Sequence, residues 1–236
     1  MNPSDLIDKG KYPQVHKFLG ERVDMLFDDM RAMLKHPLPE NNCKGGCNFA
    51  LFNFMVDVVS GISITLYDPK ELEAYLQGKG NKDFDHFKDL LNDFYPWREE
   101  GVQDPKGIID IIWDTRNSLT HRIGLVFPGE KQVKIRKCRL SDNDIRELED
   151  ISRFNKYDNL RTFDPKENCI NLIRFYRGTY KMLKRLFTDS CYMKRAEEFL
   201  ENANKPRQSS NIGNSIWTAP GAVTHTSSDD FSVKLF

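Results

Sequence analysis

Ile108-Ile109-Asp110-Ile111-Ile112-Trp113-Asp114-Thr115-Arg116-Asn117-Ser118-Leu119-Thr120-His121 is the stretch on which the reading of this chain turns. At about 100° per residue, Ile108, Ile112, Thr115, Leu119 and Ile123 fall on one side of a helix, a stripe that should face a core. Asp110, Asp114, Asn117 and His121 fall together on another side, spaced i, i+4, i+7 and i+11. Asp104-Pro105-Lys106 supplies the start signal, a capping residue followed by proline at the first helical position. The pattern predicts a helix over about 105–121, apolar on one face and polar on one facet. Asn117 and His121 are i, i+4 neighbours. Asp114 lies one turn before Asn117, placed to orient its amide, and Arg116 stands at the edge between stripe and facet. Cations near a helix C-terminus also complement the helix dipole, which is the plain structural account of the same residues.

The order Arg116-Asn117, three residues, His121 resembles the active motif of the HEPN superfamily, an all-α group rich in RNA-cleaving toxins and defence proteins. The resemblance covers residues 104–125. It implies an all-α, HEPN-like antiparallel helix bundle that forms a homodimer, so that two motifs share one cleft. It also implies a metal-independent endoribonuclease that uses no cofactor, with RNA as substrate, and a toxin–antitoxin or antiviral-defence setting in which an antitoxin or another protein is a partner. In that reading His121 moves protons on the 2′-hydroxyl and the leaving oxygen, because imidazole titrates near neutral pH. Arg116 holds the charge of the phosphorane-like transition state, because a guanidinium is permanently cationic and matches phosphate geometry. Asn117 positions its neighbours, and Asp110 and Asp114 support the facet. The alternative on the same fold is a non-catalytic module that binds RNA, nucleotides or a protein partner.

Outward from this helix the chain reads as a succession of capped, amphipathic segments. Residues 14–35 carry Val15, Phe18, Leu19, Val23, Leu26, Met30, Met33 and Leu34 at helical spacing, and Pro37 and Pro39 end them. A second helix is expected over about 47–67. It contains the most apolar run, Phe49 to Tyr67, which is long enough for a membrane span but is interrupted by Asn53, Asp57, Ser60 and Gly61. A central bundle helix with no membrane is the expectation. Asp57 stands out there, because a buried carboxylate needs a partner: it is a candidate to face the dimer or the active cleft, with the solvent edge of the helix the commoner place. A short helix from Asp68, another over Asp83–Phe94, one from Ser141 to about Ser152, one over about 165–187 behind Asp164-Pro165-Lys166-Glu167, and a last one over 192–203 complete the series. Pro128-Gly129 between alternating runs predicts one β-hairpin near 124–138. The domain is expected to occupy 1–204, with 205–236 a flexible or loosely docked tail of Ser, Thr, Asn, Gly and Pro.

Charge sums to zero over the 236 residues, with Lys+Arg and Asp+Glu at 35 each. It is unevenly placed: residues 1–104 carry a balance of −6 and residues 105–210 a balance of +7. Two basic tracts lie in the second half. The hairpin carries Lys131, Lys134, Arg136, Lys137 and Arg139, and the helix over 165–187 carries Arg174, Arg177, Lys181, Lys184 and Arg185. Together they are candidates for tracking a phosphate backbone, against the ordinary reading of a solvated helix face. Cys43, Cys47, Cys138, Cys169 and Cys191 are odd in number and lack zinc spacing, and Met1 to Lys17 is polar. Reduced thiols in a cytoplasmic protein, with no metal site, are expected.

Overall fold

The computed structural model describes residues 2–36, 47–66, 70–71, 74, 83–122 and 133–203, with the backbone alone at 83 and 120–122. Among these the chain is mostly helical. Seven α-helices carry the architecture: α1 Glu21–Lys35, α2 Asn48–Ser63, α3 Asp83–Phe94, α4 Lys106–Arg122, α5 Asp142–Glu149, α6 Leu172–Thr188 and α7 Ser190–Ala203. A π-helical segment, Val15–Gly20, leads directly into α1. Its last residue, Gly20, lies close to the first turn: a Cβ there would stand 3.0 Å from Ile7 Cδ1 and 3.1 Å from Ser4 Cβ, so that these side chains would have to shift slightly.

The centre of the bundle is the pair α2 and α6. α2 is apolar nearly all round and buries Leu51, Phe52, Met55, Val56, Val58, Val59 and Ile62. α6 is buried without interruption from Leu172 to Tyr180. Phe52 and Phe175 join the two, ring centroids 6.0 Å apart. Truncating such a buried phenylalanine to alanine costs about 3–5 kcal/mol. α1 lays Phe27 against Tyr176 at 5.2 Å and Tyr180 at 5.6 Å. On α3, Phe84 and Phe87 hold Trp113 of α4 at 5.1 and 5.0 Å. Asn48–Leu66 is long and apolar enough to cross a membrane by length and composition, and half of it is buried inside the bundle, where α1, α3 and α6 pack on it.

In the second half one expectation changes and another falls largely outside what is described. Residues 123–132, with the proposed turn and the first strand of the hairpin, lie outside the described residues, as does the tail from 204. What is described of the second strand, β1 Lys134–Arg136, pairs in parallel with β3 Cys169–Asn171, Ile135 opposite Ile170. The antiparallel pair is β2 Phe163–Asp164 with β3, in a small sheet of order β1-β3-β2. The turn at 165–168 makes this pair, because Asp164 Oδ1 accepts from the Lys166 N–H at 2.9 Å and Asn168 takes φ +48°, a left-handed conformation that asparagine tolerates. The signal Asp-Pro-Lys thus opens a helix at Asp104 and a hairpin turn at Asp164. α6 starts later than expected, at Leu172, capped by Asn171, whose Oδ1 accepts from the N–H groups of Ile173 and Arg174.

Candidate functional site around Arg116

α4 packs against α2 and α3. Its fully buried side chains are Ile109 and Ile112, with Thr115 buried below them, while Ile108 and Leu119 are half-buried. The core-facing stripe is therefore turned by about one residue from the one the wheel predicts, which brings Arg116 partly under cover. Asp110 and Asp114 are exposed, and Arg116, Asn117 and Ser118 are half-buried.

Arg116 is held on two sides. Its Nη1 donates to Asn117 Oδ1 at 3.1 Å. Its Cζ lies 5.4 Å from the centroid of Trp113, within cation–π range, and Trp113 is itself fixed by Phe84 and Phe87. The Asn117 amide oxygen thus takes its bond from Arg116 rather than being set by Asp114. Its NH₂ is then the end directed away from the guanidinium, with the flip assigned from this bond. Across from α4, Asp57 of α2 lies within electrostatic reach of Arg116. Loss of water around its carboxyl pushes the Asp57 pKa up, against the lowering by Arg116, although the residue keeps an exposed edge. Asn53, Asp57 and Ser60 form one stripe at i, i+4 and i+7, and Asn53 Oδ1 and Ser60 Oγ are buried without a hydrogen-bond partner among the described residues. The structure thus pairs Arg116 with Asn117 and sets the Arg116 charge within electrostatic reach of Asp57, a residue the sequence marks as a carboxylate for a partner, a dimer seam or the cleft, or else for the solvent edge. The side chain of His121 lies outside the described residues; its backbone continues α4.

The expected basic surface is partly interior, although Lys134, Arg136, Lys184 and Arg185 remain exposed. Arg174 and Arg177 are fully buried. Arg174 donates from Nε to Glu100 at 2.9 Å and from Nη1 to Asp158 at 2.9 Å. Arg177 grips both Asp158 oxygens, at 2.8 and 2.6 Å, and the carbonyls of Leu148, Asp150 and Arg153. Lys181 reaches Asp158 at 2.6 Å and Glu99 at 2.5 Å, and Arg185 reaches Glu99 at 2.7 Å. The cause is the pair of 3₁₀ turns, Trp97–Glu100 and Lys156–Asn159, that set three carboxylates against one face of α6. On the other tract, Lys134 and Arg136 both stand on Glu167. Lys137 turns inward and donates to the carbonyls of Met33 and His36 at the end of α1, where burial lowers its pKa. Arg139 is exposed, and Lys131 lies outside the described residues.

Among the described residues Cys47, Cys138, Cys169 and Cys191 are free thiols, and no three His, Cys, Asp or Glu side chains gather as a metal-ligand group. Comparison with protein-family models, with curated proteins and with solved structures finds no match to this chain.

Proposed function

We propose that the chain is a metal-independent endoribonuclease of HEPN type acting on RNA, with Arg116, Asn117 and His121 as its working residues. The observation that carries the reading is the setting of Arg116: a guanidinium locked on Trp113 and Asn117, at the edge of the bundle, with Asp57 close enough to be felt. A group held in that way is pre-organised for an anion, and pre-organisation is what makes charge stabilisation effective. In the reaction the 2′-oxygen bonds to the adjacent phosphorus and the P–O5′ bond breaks. A proton leaves the 2′-oxygen for a base and one is delivered to the 5′-oxygen, giving a 2′,3′-cyclic phosphate. His121 takes the proton-transfer role, Arg116 the developing charge, and the Asn117 amide the orientation of either. A homodimer that sets two copies of α4 along one cleft would supply a separate acid and base. A toxin or defence role follows from the resemblance alone.

One observation favours a second reading, a non-catalytic module that binds short RNA, nucleotides or a partner. Arg174, Arg177 and Lys181 of α6 are engaged with the protein's own carboxylates, so they offer no long track for a phosphate backbone. Incubating the pure protein with labelled RNA in EDTA separates the two. The nuclease reading expects fragments ending in 2′,3′-cyclic phosphate, activity that falls at acid pH as His121 protonates, and losses of roughly 10²–10⁴-fold for His121→Ala and roughly 10²–10³-fold for Arg116→Ala. A Mg²⁺ requirement or a fully active His121→Ala protein would remove the motif from the chemistry.

A further inference from the structure

The charge ladder on α6 closes on itself, with buried Arg174 and Arg177 against buried Glu100 and Asp158. The polar face of α2 does not close. Asn53 and Asp57 stand one turn apart on its outward side, and side chains at i and i+4 are neighbours. Asp57 is exposed, and Asn53 is half-buried with no hydrogen-bond partner for its Oδ1 among the described residues. An amide that no bond to its oxygen fixes can turn its NH₂ outward. Gly61, one turn beyond Asp57, is exposed and has open space where a Cβ would stand. Phe54, half-buried, comes three residues before Asp57, so its ring is a helical neighbour of the carboxylate. Arg116 lies within electrostatic reach of the same carboxylate.

The order of donors and acceptors decides what this face suits. An ionised carboxylate offers acceptors side by side, and the amide NH₂ one turn away offers donors. Guanine alone among the four RNA bases presents two neighbouring donors, N1–H and N2–H₂, followed by an acceptor, O6. Adenine, cytosine and uracil each set an acceptor against one of the carboxylate oxygens. Unpaired RNA bases are read in this way, by hydrogen bonds on the Watson–Crick edge and by stacking on aromatic rings, for which Phe54 is the ring available. We propose that the outward face of α2 is a guanine subsite, with Asp57 accepting from N1–H and N2–H₂, Asn53 donating to O6, and the 3′-phosphate of the same nucleotide at Arg116. The subsite rests on the reading of Arg116 as a phosphate-binding group, and it adds which base precedes the bond that is cut.

The test titrates the full chain with 3′-GMP, 3′-AMP, 3′-CMP and 3′-UMP by calorimetry in EDTA. A bidentate contact to a base edge discriminates by about 5–150-fold, and 3′-GMP should bind tighter than the other three within that range. Asp57→Asn should bring 3′-GMP down to the level of the others, whereas a purely structural role for Asp57 would move all four together. Asn53→Ala, the second variant should Asp57→Asn fail to fold, should weaken 3′-GMP alone, by about 2–12-fold. Four nucleotides bound alike, none bound, or a guanine preference that survives in Asp57→Asn would overturn the subsite. RNA cleavage keeps the two readings apart. Cutting with no preference for the bond after G would keep the nuclease and sink the subsite; selective 3′-GMP binding without cutting would keep the subsite and sink the nuclease.

Discussion

α4 and α6 are each 17 residues long, and each reads in sequence as an apolar helix with one polar facet. Their fates differ. α6 is buried at thirteen positions and two of its arginines, Arg174 and Arg177, serve the interior. α4 is fully buried only at Ile109 and Ile112 among its described side chains, and its arginine stays at the edge. The difference does not lie in the helices. It lies in what faces them: Glu99, Glu100 and Asp158 arrive at α6 on two short turns, while among the described residues α4 meets aromatic rings of α3 and the carboxylate of Asp57. A basic stripe at i, i+3, i+7 and i+11 therefore says that the helix needs anions. It does not say whether those anions are phosphates or the protein's own carboxylates.

The comparison is most exposed at Asp158. Its two oxygens take charge-assisted bonds from Arg174, Arg177 and Lys181. Burial alone would raise its pKa, but Arg177, Lys181 and the Asn155 N–H hold it well below the usual carboxylate range. A depressed carboxylate stabilises the fold above its unfolded pKa and stops doing so as pH falls through the folded one. Stability should thus drop on acidification below about pH 4. Asp158→Ala strands buried cations and should cost about 3–5 kcal/mol in urea unfolding at pH 7. A loss below 1 kcal/mol would mean the ladder is not structural and would return α6 to the list of RNA-binding faces.

Gly178 sharpens the same contrast. It lies on α6, where a Cβ would overlap Tyr95 Oη and its ring, and Tyr95 ties this point to Thr162 and the ladder. Gly178→Ala should cost about 1–3 kcal/mol through overpacking, and more if the Tyr95–Thr162 bond breaks. Gly107 on α4 has open space where its Cβ would stand. Gly107→Ala is expected to be neutral or slightly stabilising, by up to roughly 1 kcal/mol, since alanine is the better helix former. Melting curves of the two variants, run side by side, check the pair.

Arg116→Ala should move stability far less than any change in the ladder, by about 0.5–1 kcal/mol for the lost contact with Trp113. Chemical denaturation of the variant measures it. A loss as large as that of Asp158→Ala would make Arg116 a fold-holding residue and take away the main ground for reading α4 as a working surface.

How far the sequence reached follows the same division. The bounds of α3, the run into α1 and the cap of α4 are legible, because capping and periodicity are local. So is the central place of α2, whose apolar run has few interruptions. The hairpin at Phe163–Asn171 carries the sequence signal of a helix start, because Asp-Pro-Lys serves turns and helices alike and only Asn171 settles where α6 begins. The burial of Arg174 and Arg177 was not legible at all: their partners are 74 and 16 to 19 residues away, and nothing in α6 itself announces them. At the candidate site, the pairing of Arg116 with Asn117 and Trp113 is local and could have been drawn from spacing. The tie to Asp57 is tertiary: the sequence marks the oddity of a carboxylate in an apolar run and makes it a candidate for the cleft, but does not name Arg116 as its neighbour.

That oddity gives the smallest and most telling effect. The Asp57 pKa is raised by loss of water, with Arg116 only partly compensating. An acid whose folded pKa lies above its unfolded value favours the fold while protonated, and that contribution is lost as pH rises through the folded pKa. At pH 7 the ionised carboxylate is thus a small burden on stability, and Asp57→Asn, which keeps the shape and removes the charge, should equal or exceed the wild type. Because Asp57 keeps an exposed edge, the gain should stay within about 0.5 kcal/mol, the usual range for surface changes. The gap should close as pH falls toward 4, where the wild type protonates as well. If Asp57 also serves Arg116, the same variant should lose RNA cleavage while its melting temperature holds or rises. A variant less stable than the wild type at pH 7 would show that the Arg116–Asp57 attraction outweighs desolvation. α4 would then be joined to α2 in the way α6 is joined to its turns, and the contrast between the two helices would fail at the point where it matters for function.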